Sequence, residues 1–488
     1  MKVLQGLEPV RVMDHFEQLC AIPHGSGSTK AISDHCADFA RTLGLRVAQD
    51  AHNNLMIWKD GTPGYEHSPA VMVQGHLDMV CEKELDCDLD FSRDGLRLRV
   101  DDGVISAEGT TLGGDDGIAV AYALALLEAE DIPHPPLEVV LTVDEEIGLL
   151  GAAALDTSPL QSRMMLNLDS EEEGYLLVSC AGGCTATCRL PLEREPVVPT
   201  SAASETRCTL EVYGGLGGHS GTEIDKGRGN ANLLLGRALY RLREEFEYYL
   251  VSVSGGFKDN AIPRSAAAEL LLPDGIALSH VEQAVAELDK TFRAEYGLTD
   301  PELSLRCKPM GGEEDPLTEE SACHLITALM NLPAGVQRMS ASMPGMVQTS
   351  LNLGILRTGD TEAELSYSVR SSVESEKRAL VDQLRCLTEL LGGTVTVQGD
   401  YPGWAYREDS PLREHMVRVF ERLYGRTPVV YSMHAGVECG LFAAKMPGLD
   451  CVSFGPDLLD IHTPQERMSA ESVRRIWEYL LEILKGLK

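Results

Sequence analysis

Five short motifs concentrate the residue types that bind divalent cations and move protons. They are Gly75-His76-Leu77-Asp78, Gly113-Gly114-Asp115-Asp116-Gly117, Asp144-Glu145-Glu146-Ile147-Gly148, Asn167-Leu168-Asp169-Ser170 and His462-Thr463-Pro464. Together they offer two imidazoles, three carboxylates and a spare carboxylate, which is what two metal ions sharing a water require. Two divalent cations against three ligand carboxylates and an ionised base come close to neutral, so many acids can share one cleft.

Each motif alone has an ordinary structural reading. At a strand end, residues i and i+2 project to the same side, so His76 could bind a metal while Asp78 orients its ring from behind; a purely structural pair is the alternative. Asp115-Asp116 stands between glycines ahead of a helix, where a carboxylate could bridge two cations or simply cap the helix. Glu145 and Glu146 would converge on one site only at a turn, as one ligand and one base; otherwise they form an exposed acidic turn. Asp169 ends a strand-like run, and Glu171, Glu172 and Glu173 after it read as a solvated acidic rim. The order of the motifs, and the apolar runs before several of them, make the set specific.

Those runs are the elements that must position the chemistry. Residues 70–74, 137–143 and 164–168 read as short buried strands, each stopping at a motif, and 117–130 as a strongly buried helix. With helices over 10–20 and 30–43, this alternation predicts an α/β domain: a mostly parallel sheet with helices on both faces and a site beyond the carboxyl ends of its strands. After Ala181-Gly182-Gly183 the texture becomes α+β. Strands are expected at 209–213, 266–272, 351–356 and 364–370, and helices at 230–246, 276–296 and 377–391. The pattern resets near Gly399-Asp400-Tyr401-Pro402, ahead of helices at 412–424 and 469–487. Because His462 must rejoin the early motifs, the middle of the chain reads as an insertion. The expected division is 1–186 and 398–488 for the catalytic domain and 187–397 for the inserted one.

Composition narrows the partners. The 488 residues carry 75 acidic against 42 basic side chains, a formal charge of −33 that repels nucleic acid and anionic membrane and leaves small molecules as the natural partners. The first residues hold no apolar signal-peptide core, and no apolar run approaches the length of a membrane span. Thirteen scattered cysteines, an odd number, suit a reducing cytoplasm better than a disulfide framework. Cys180, Cys184 and Cys188 share a spacing of four but read as buried free thiols rather than a thiolate cluster. The glycine-rich turn Gly214 to Gly221 completes no G-x-G-x-x-G and gives no nucleotide site. A homodimer is an open alternative.

Taken in order, the motifs resemble those of the di-zinc exopeptidases, the family that includes carboxypeptidase G and carnosinase. The resemblance runs from Ile22-Pro23-His24 to the closing helix. Gly109-Thr110-Thr111-Leu112-Gly113, Asp169 to Gly174, Cys180 to Gly183, His434-Ala435-Gly436-Val437-Glu438-Cys439-Gly440 and Phe454-Gly455-Pro456 carry its narrower part. It implies a di-zinc exopeptidase catalytic domain with an inserted α+β lid. His76 and Asp169 would hold one zinc ion, Glu146 and His462 the other, and Asp115 would bridge them through a cis Asp115–Asp116 peptide. Glu145 would be the general base and Asp78 the orienter of His76. In the insertion, His219 would stabilise the tetrahedral oxyanion, while Asn260 and Arg370 would grip the substrate's carbonyl and terminal carboxylate. The implied reaction is hydrolysis of unblocked dipeptides, Xaa-His and β-alanyl-histidine among them. The alternative is a deacylase of N-acyl amino acids built on the same site. A pure binding protein would not need Glu145. Manganese or cobalt could replace zinc on these nitrogen and oxygen ligands. The chain has Gly114-Asp115-Asp116 where many relatives have Ala-Asp-Asn, and Asp144-Glu145-Glu146-Ile147 where they have Thr-Glu-Glu-Ala. Neither change removes a ligand or the base. His434 and Glu438 receive no role.

Overall fold

A computed structural model describes residues 2–197 and 206–488; residues 198–205 of the expected insertion lie outside the described residues. The chain forms two compact units. One comprises the residues up to Cys180, Tyr406–Ser432 and Val437–Lys488; the other comprises Ala181–Ala405 and Met433–Gly436. The junctions expected at 186 and 397 fall elsewhere because both would cut a strand. Gly182–Pro191 runs through 186 unbroken, and its neighbour Thr394–Tyr401 runs through 397.

In the first unit an eight-stranded sheet has the order Arg46–Gln49, Leu55–Lys59, Leu137–Thr142, Val71–His76, Met164–Asn167, Asp450–Ser453, Tyr175–Cys180 and Val429–Met433. The middle four strands pair in parallel. The first two strands form a hairpin and so lie antiparallel, as does the pairing of Tyr175–Cys180 with Asp450–Ser453. The central strands Val71–His76 and Leu137–Thr142 are buried along their whole length, as expected of sheet strands covered on both faces. Helix Gly114–Glu128 is apolar all round and packs on strand Val71–His76 and on helix Val10–Cys20. Their approach at Gly75 is so close that a Cβ there would lie 2.5 Å from Asp116 Oδ2 and 2.7 Å from Ala119 Cβ. This glycine lets the strand carrying His76 meet the helix start carrying Asp115. A four-stranded sheet of Leu98–Asp101, Val104–Ala107, Arg467–Ser469 and Leu458–Leu459 completes the unit's strands among the described residues.

The second unit is built on a nine-stranded sheet whose pairings are antiparallel, with helices Ala231–Leu242, Leu278–Tyr296, Glu319–Asn331 and Glu374–Leu390. Strand Gly182–Pro191 shows the logic: Cys184, Ala186, Cys188 and Leu190 are buried in the core, and Thr185, Thr187 and Arg189 alternate with them. Among the described residues, no helix is long and apolar enough to cross a membrane.

Candidate metal centre

Three adjacent parallel strands deliver the first unit's reactive residues to one end of the sheet. His76 closes Val71–His76, Asp169 follows Met164–Asn167, and Glu145 and Glu146 follow Leu137–Thr142. Asp144 takes φ 55°, and this left-handed residue makes the turn that lets both following glutamates converge. Asp115 enters from the start of helix Gly114–Glu128, its peptide to Asp116 cis, and His462 comes from the loop before Arg467–Ser469.

Asp115 stands between the two imidazoles. Its Oδ1 lies 3.0 Å from His76 Nε2 and its Oδ2 lies 3.1 Å from His462 Nε2. Asp169 Oδ1 is 3.7 Å from His76 Nε2, and Glu146 Oε1 is 2.9 Å from His462 Nε2. Donors bound to one ion at ~2.0–2.2 Å stand ~3–3.5 Å apart, so this spacing suits two cations sharing Asp115. Among the described residues, three groups have metal-ligand spacing: His76 with Asp116 and Asp169, His76 with Glu145 and Glu146, and Asp115 with Glu146 and His462. The tautomer of His76 makes the same point. Its Nδ1 lies 2.9 Å from the Asp78 carbonyl oxygen and donates to it. In a neutral ring Nε2 then turns a lone pair toward carboxylate oxygens, an arrangement that needs a proton or a cation between them.

The protonation pattern agrees. Burial opposes charge on His76, yet Asp115, Asp169 and Asp78 raise it well above the usual histidine range. His462 is pushed up to about 10, chiefly by Asp115 and Glu146. Burial raises Glu145, Glu146 and Asp169. Protons and cations thus compete for the same cluster.

Asp78 touches both His76 and the turn that follows strand Leu137–Thr142. Its carboxylate stands 3.5 Å from His76 Nδ1 and accepts from Glu145 N at 3.1 Å, Glu146 N at 3.3 Å and Ser26 Oγ at 2.8 Å. It pins the turn that carries the two glutamates, and its backbone carbonyl fixes the imidazole. Glu173, expected on a solvated rim, is buried and paired with Arg475 at 2.8 Å.

Two buried acids went unread in the sequence as parts of this centre. Glu466 accepts from the backbone amides leading into Asp115. Glu438 accepts from Gln74 Nε2 and Thr142 Oγ1 beneath the strand ends, and burial pushes it up to about 7. Cys180, Cys184 and Cys188 are buried. The last two lie four residues apart on one strand, ~13 Å, too far to share an ion.

His219, Asn260 and Arg370 belong to the second unit. His219 Nδ1 accepts from Thr222 N at 3.1 Å and Gly221 N at 3.3 Å, which places the ring proton on Nε2. Burial and then Arg370 lower its pKa, keeping the ring neutral. Arg370 is 7% exposed, with Tyr401 Oη 3.4 Å from Nη1 and a buried Nε that has no hydrogen-bond partner. His434, held by Ser350 Oγ at 2.7 Å, lies in the same unit and is pushed down to about 3 by burial and then by Arg370. Asn260 is exposed, its backbone carbonyl accepting from Ser220 N.

A fold of this kind with paired imidazoles and carboxylates at its strand ends defines a class of hydrolases, and the comparisons agree. The model of Peptidase family M20/M25/M40 matches residues 72–486, and the chain belongs to that family. It is 38% identical over 488 residues to the cytosol non-specific dipeptidase of Escherichia coli K12, covering 100% of this chain and 99% of the relative. The crystal structure of aminoacylhistidine dipeptidase from Vibrio alginolyticus superposes with a TM-score of 0.93 at 34% identity, over 99% of this chain and 98% of that one. The aminopeptidase PepT of Bacillus cereus shares the fold at 17% identity, with a TM-score of 0.56 over 99% of both chains.

Proposed function

We propose that this chain is a cytoplasmic metal-dependent dipeptidase that cleaves unblocked dipeptides, Xaa-His and β-alanyl-histidine among them. The observation that carries the reading is the Asp115 carboxylate, each oxygen of which faces a different imidazole. The full-length likeness to a cytosol non-specific dipeptidase and to an aminoacylhistidine dipeptidase supports the substrate class and the compartment.

His76 and Asp169 would hold one ion, His462 and Glu146 the other, with Asp115 shared. Zinc suits this set of ligands, and manganese or cobalt can occupy it. When bound, such a pair polarises the scissile carbonyl and lowers the pKa of a shared water. Glu145, held by the turn that Asp78 grips, takes the water's proton and passes it to the departing amine. In the second unit, His219 has its Nε2 proton available for a developing oxyanion. Arg370, whose Nε has no hydrogen-bond partner, would bind the terminal carboxylate, and Asn260 would offer an exposed amide to the substrate carbonyl.

Release of free histidine from β-alanyl-histidine and glycyl-histidine, with zinc-loaded and chelated protein, tests this reading. An N-acetylated dipeptide is the control. Metal-dependent cleavage of the unblocked substrates alone is expected. Cleavage of the blocked one would move the protein to the deacylases, and no cleavage with metal bound would sink the substrate assignment.

A further inference from the structure

Helix Gly114–Glu128 starts without a capping side chain of its own. Gly113 stands at the N-cap in the left-handed region, φ 66°, and has no side chain to satisfy the amides that follow. A distant residue does so instead. Glu466, 2% exposed, accepts through Oε2 from Leu112 N at 2.7 Å and Gly113 N at 3.1 Å, and through Oε1 from Gly114 N at 2.8 Å and Asp115 N at 3.4 Å. The backbone is non-helical at Asp115 and Asp116, so these amides form a turn ahead of the regular helix; consecutive amides converging in this way make an anion cradle, here filled by the protein's own carboxylate.

Glu466 also stands four residues beyond His462, and the segment between is closed on itself. Glu466 N donates to the Thr463 carbonyl at 3.1 Å, Thr463 Oγ1 donates to the Asp460 carbonyl at 2.7 Å, and Gln465 N donates to Thr463 Oγ1 at 3.2 Å. One buried carboxylate therefore ties the turn that presents Asp115 to the loop that presents His462. His76 and Asp169 are placed otherwise, by neighbouring strands of the sheet.

We propose that Glu466 is a positioning residue that sets the metal affinity of the half-site formed by Asp115, Glu146 and His462. It does so by fixing the loop separation on which the 3.1 Å Asp115–His462 contact depends. The inference rests on the reading of these residues as ligands. A role in packing alone would lower stability and weaken both half-sites alike; positioning predicts an asymmetric loss.

The test is a cobalt(II) titration of stripped full-length protein, read by visible absorption and by metal content after equilibrium dialysis, for wild type, E466Q and E466D. Wild type should take up two equivalents. In E466Q an amide NH2 must face backbone N–H groups, and one equivalent should weaken about 10- to 100-fold while the other, which keeps His76 and Asp169 and is touched only through the shared Asp115, weakens far less. E466D keeps the charge but withdraws it by one methylene; it should fall between the two and carries the test if E466Q fails to fold. In E466Q kcat should drop and recover with excess metal. Two equivalents of wild-type affinity in the variants, or equal weakening of both, would overturn the proposal. Wild type that binds no second equivalent would instead overturn the ligand reading.

Discussion

Replacing Asp78 by asparagine separates two accounts of this residue. The buried carboxylate, 1% exposed, accepts from Glu145 N through Oδ1 and from Glu146 N and Ser26 Oγ through Oδ2. Asparagine supplies one oxygen and one NH2. Whichever way the amide turns, its NH2 meets one of the two backbone N–H groups, while Ser26 can rotate its hydroxyl to suit. The loss is one hydrogen bond to a charged acceptor, ~1.5–3 kcal/mol, or about 10- to 150-fold in rate if it is expressed in the transition state. Because the bond holds the turn that bears Glu145, the loss should fall on kcat with KM nearly unchanged. His76 should keep its proton on Nδ1, since the acceptor is the Asp78 backbone carbonyl at 2.9 Å. Saturation kinetics on glycyl-histidine at verified metal content gives the first number, and 15N NMR of the histidine rings gives the second. A D78N enzyme within threefold of wild type at equal metal content would refute the argument. So would a change of His76 tautomer as the principal effect, which would return Asp78 to the role of imidazole orienter.

His219→Gln should lower kcat about 100- to 1000-fold through loss of an oxyanion donor, with KM little changed in the same kinetics. Arg370→Ala should raise KM about 100-fold for a free dipeptide but leave unaffected the slow cleavage of a dipeptide amide, which lacks the carboxylate; Arg370→Lys should restore little, because a single ammonium cannot reproduce the fork. Acid should destabilise the second unit through His434, whose folded pKa of about 3 lies below the ordinary histidine value. A histidine kept neutral by the fold contributes fully above its unfolded pKa and loses that contribution as pH falls from about 6.5 toward 3, roughly 2 kcal/mol by pH 5. The shift in urea midpoint between pH 7 and pH 5 should therefore shrink in His434→Gln.

The fold was legible where burial is two-sided. Strand Leu137–Thr142 carries the apolar run Val139-Val140-Leu141, and helix Gly114–Glu128 is apolar from Ile118 to Leu127. It was less legible where small side chains do the packing. Gly182–Pro191 alternates faithfully between core and surface, but its inward residues include two cysteines and an alanine. Its residue types do not mark it as a strand, and the junction expected at 186 falls inside it. The antiparallel flank Arg46–Gln49 and Leu55–Lys59 and the helix Glu319–Asn331 gave no signal strong enough to be singled out. Their form depends on neighbours that only the tertiary structure supplies.

The site divides along a similar line. Side chains that can face a cation are of a few types, so the sequence marks His76, Asp115, Glu146, Asp169 and His462 as candidates. Side chains that place them act on backbone amides, and an amide leaves no mark on the sequence. Residue type alone cannot distinguish these acids; their partners do. Asp115, Glu146 and Asp169 face imidazoles. Asp78 and Glu466 grip the amides of the two turns that bear ligands, Asp116 accepts from His76 N, and Glu438 accepts from Gln74 and Thr142. Among the described residues in this cluster, Glu145 has a carboxylate that pairs with neither imidazole, unlike those of Asp115, Glu146 and Asp169, and its backbone amide is held by Asp78. A carboxylate kept in place from behind and paired with neither imidazole is what a base needs if its proton is to come from a water. The partners, more than the motif, therefore favour Glu145 over its neighbours for that role.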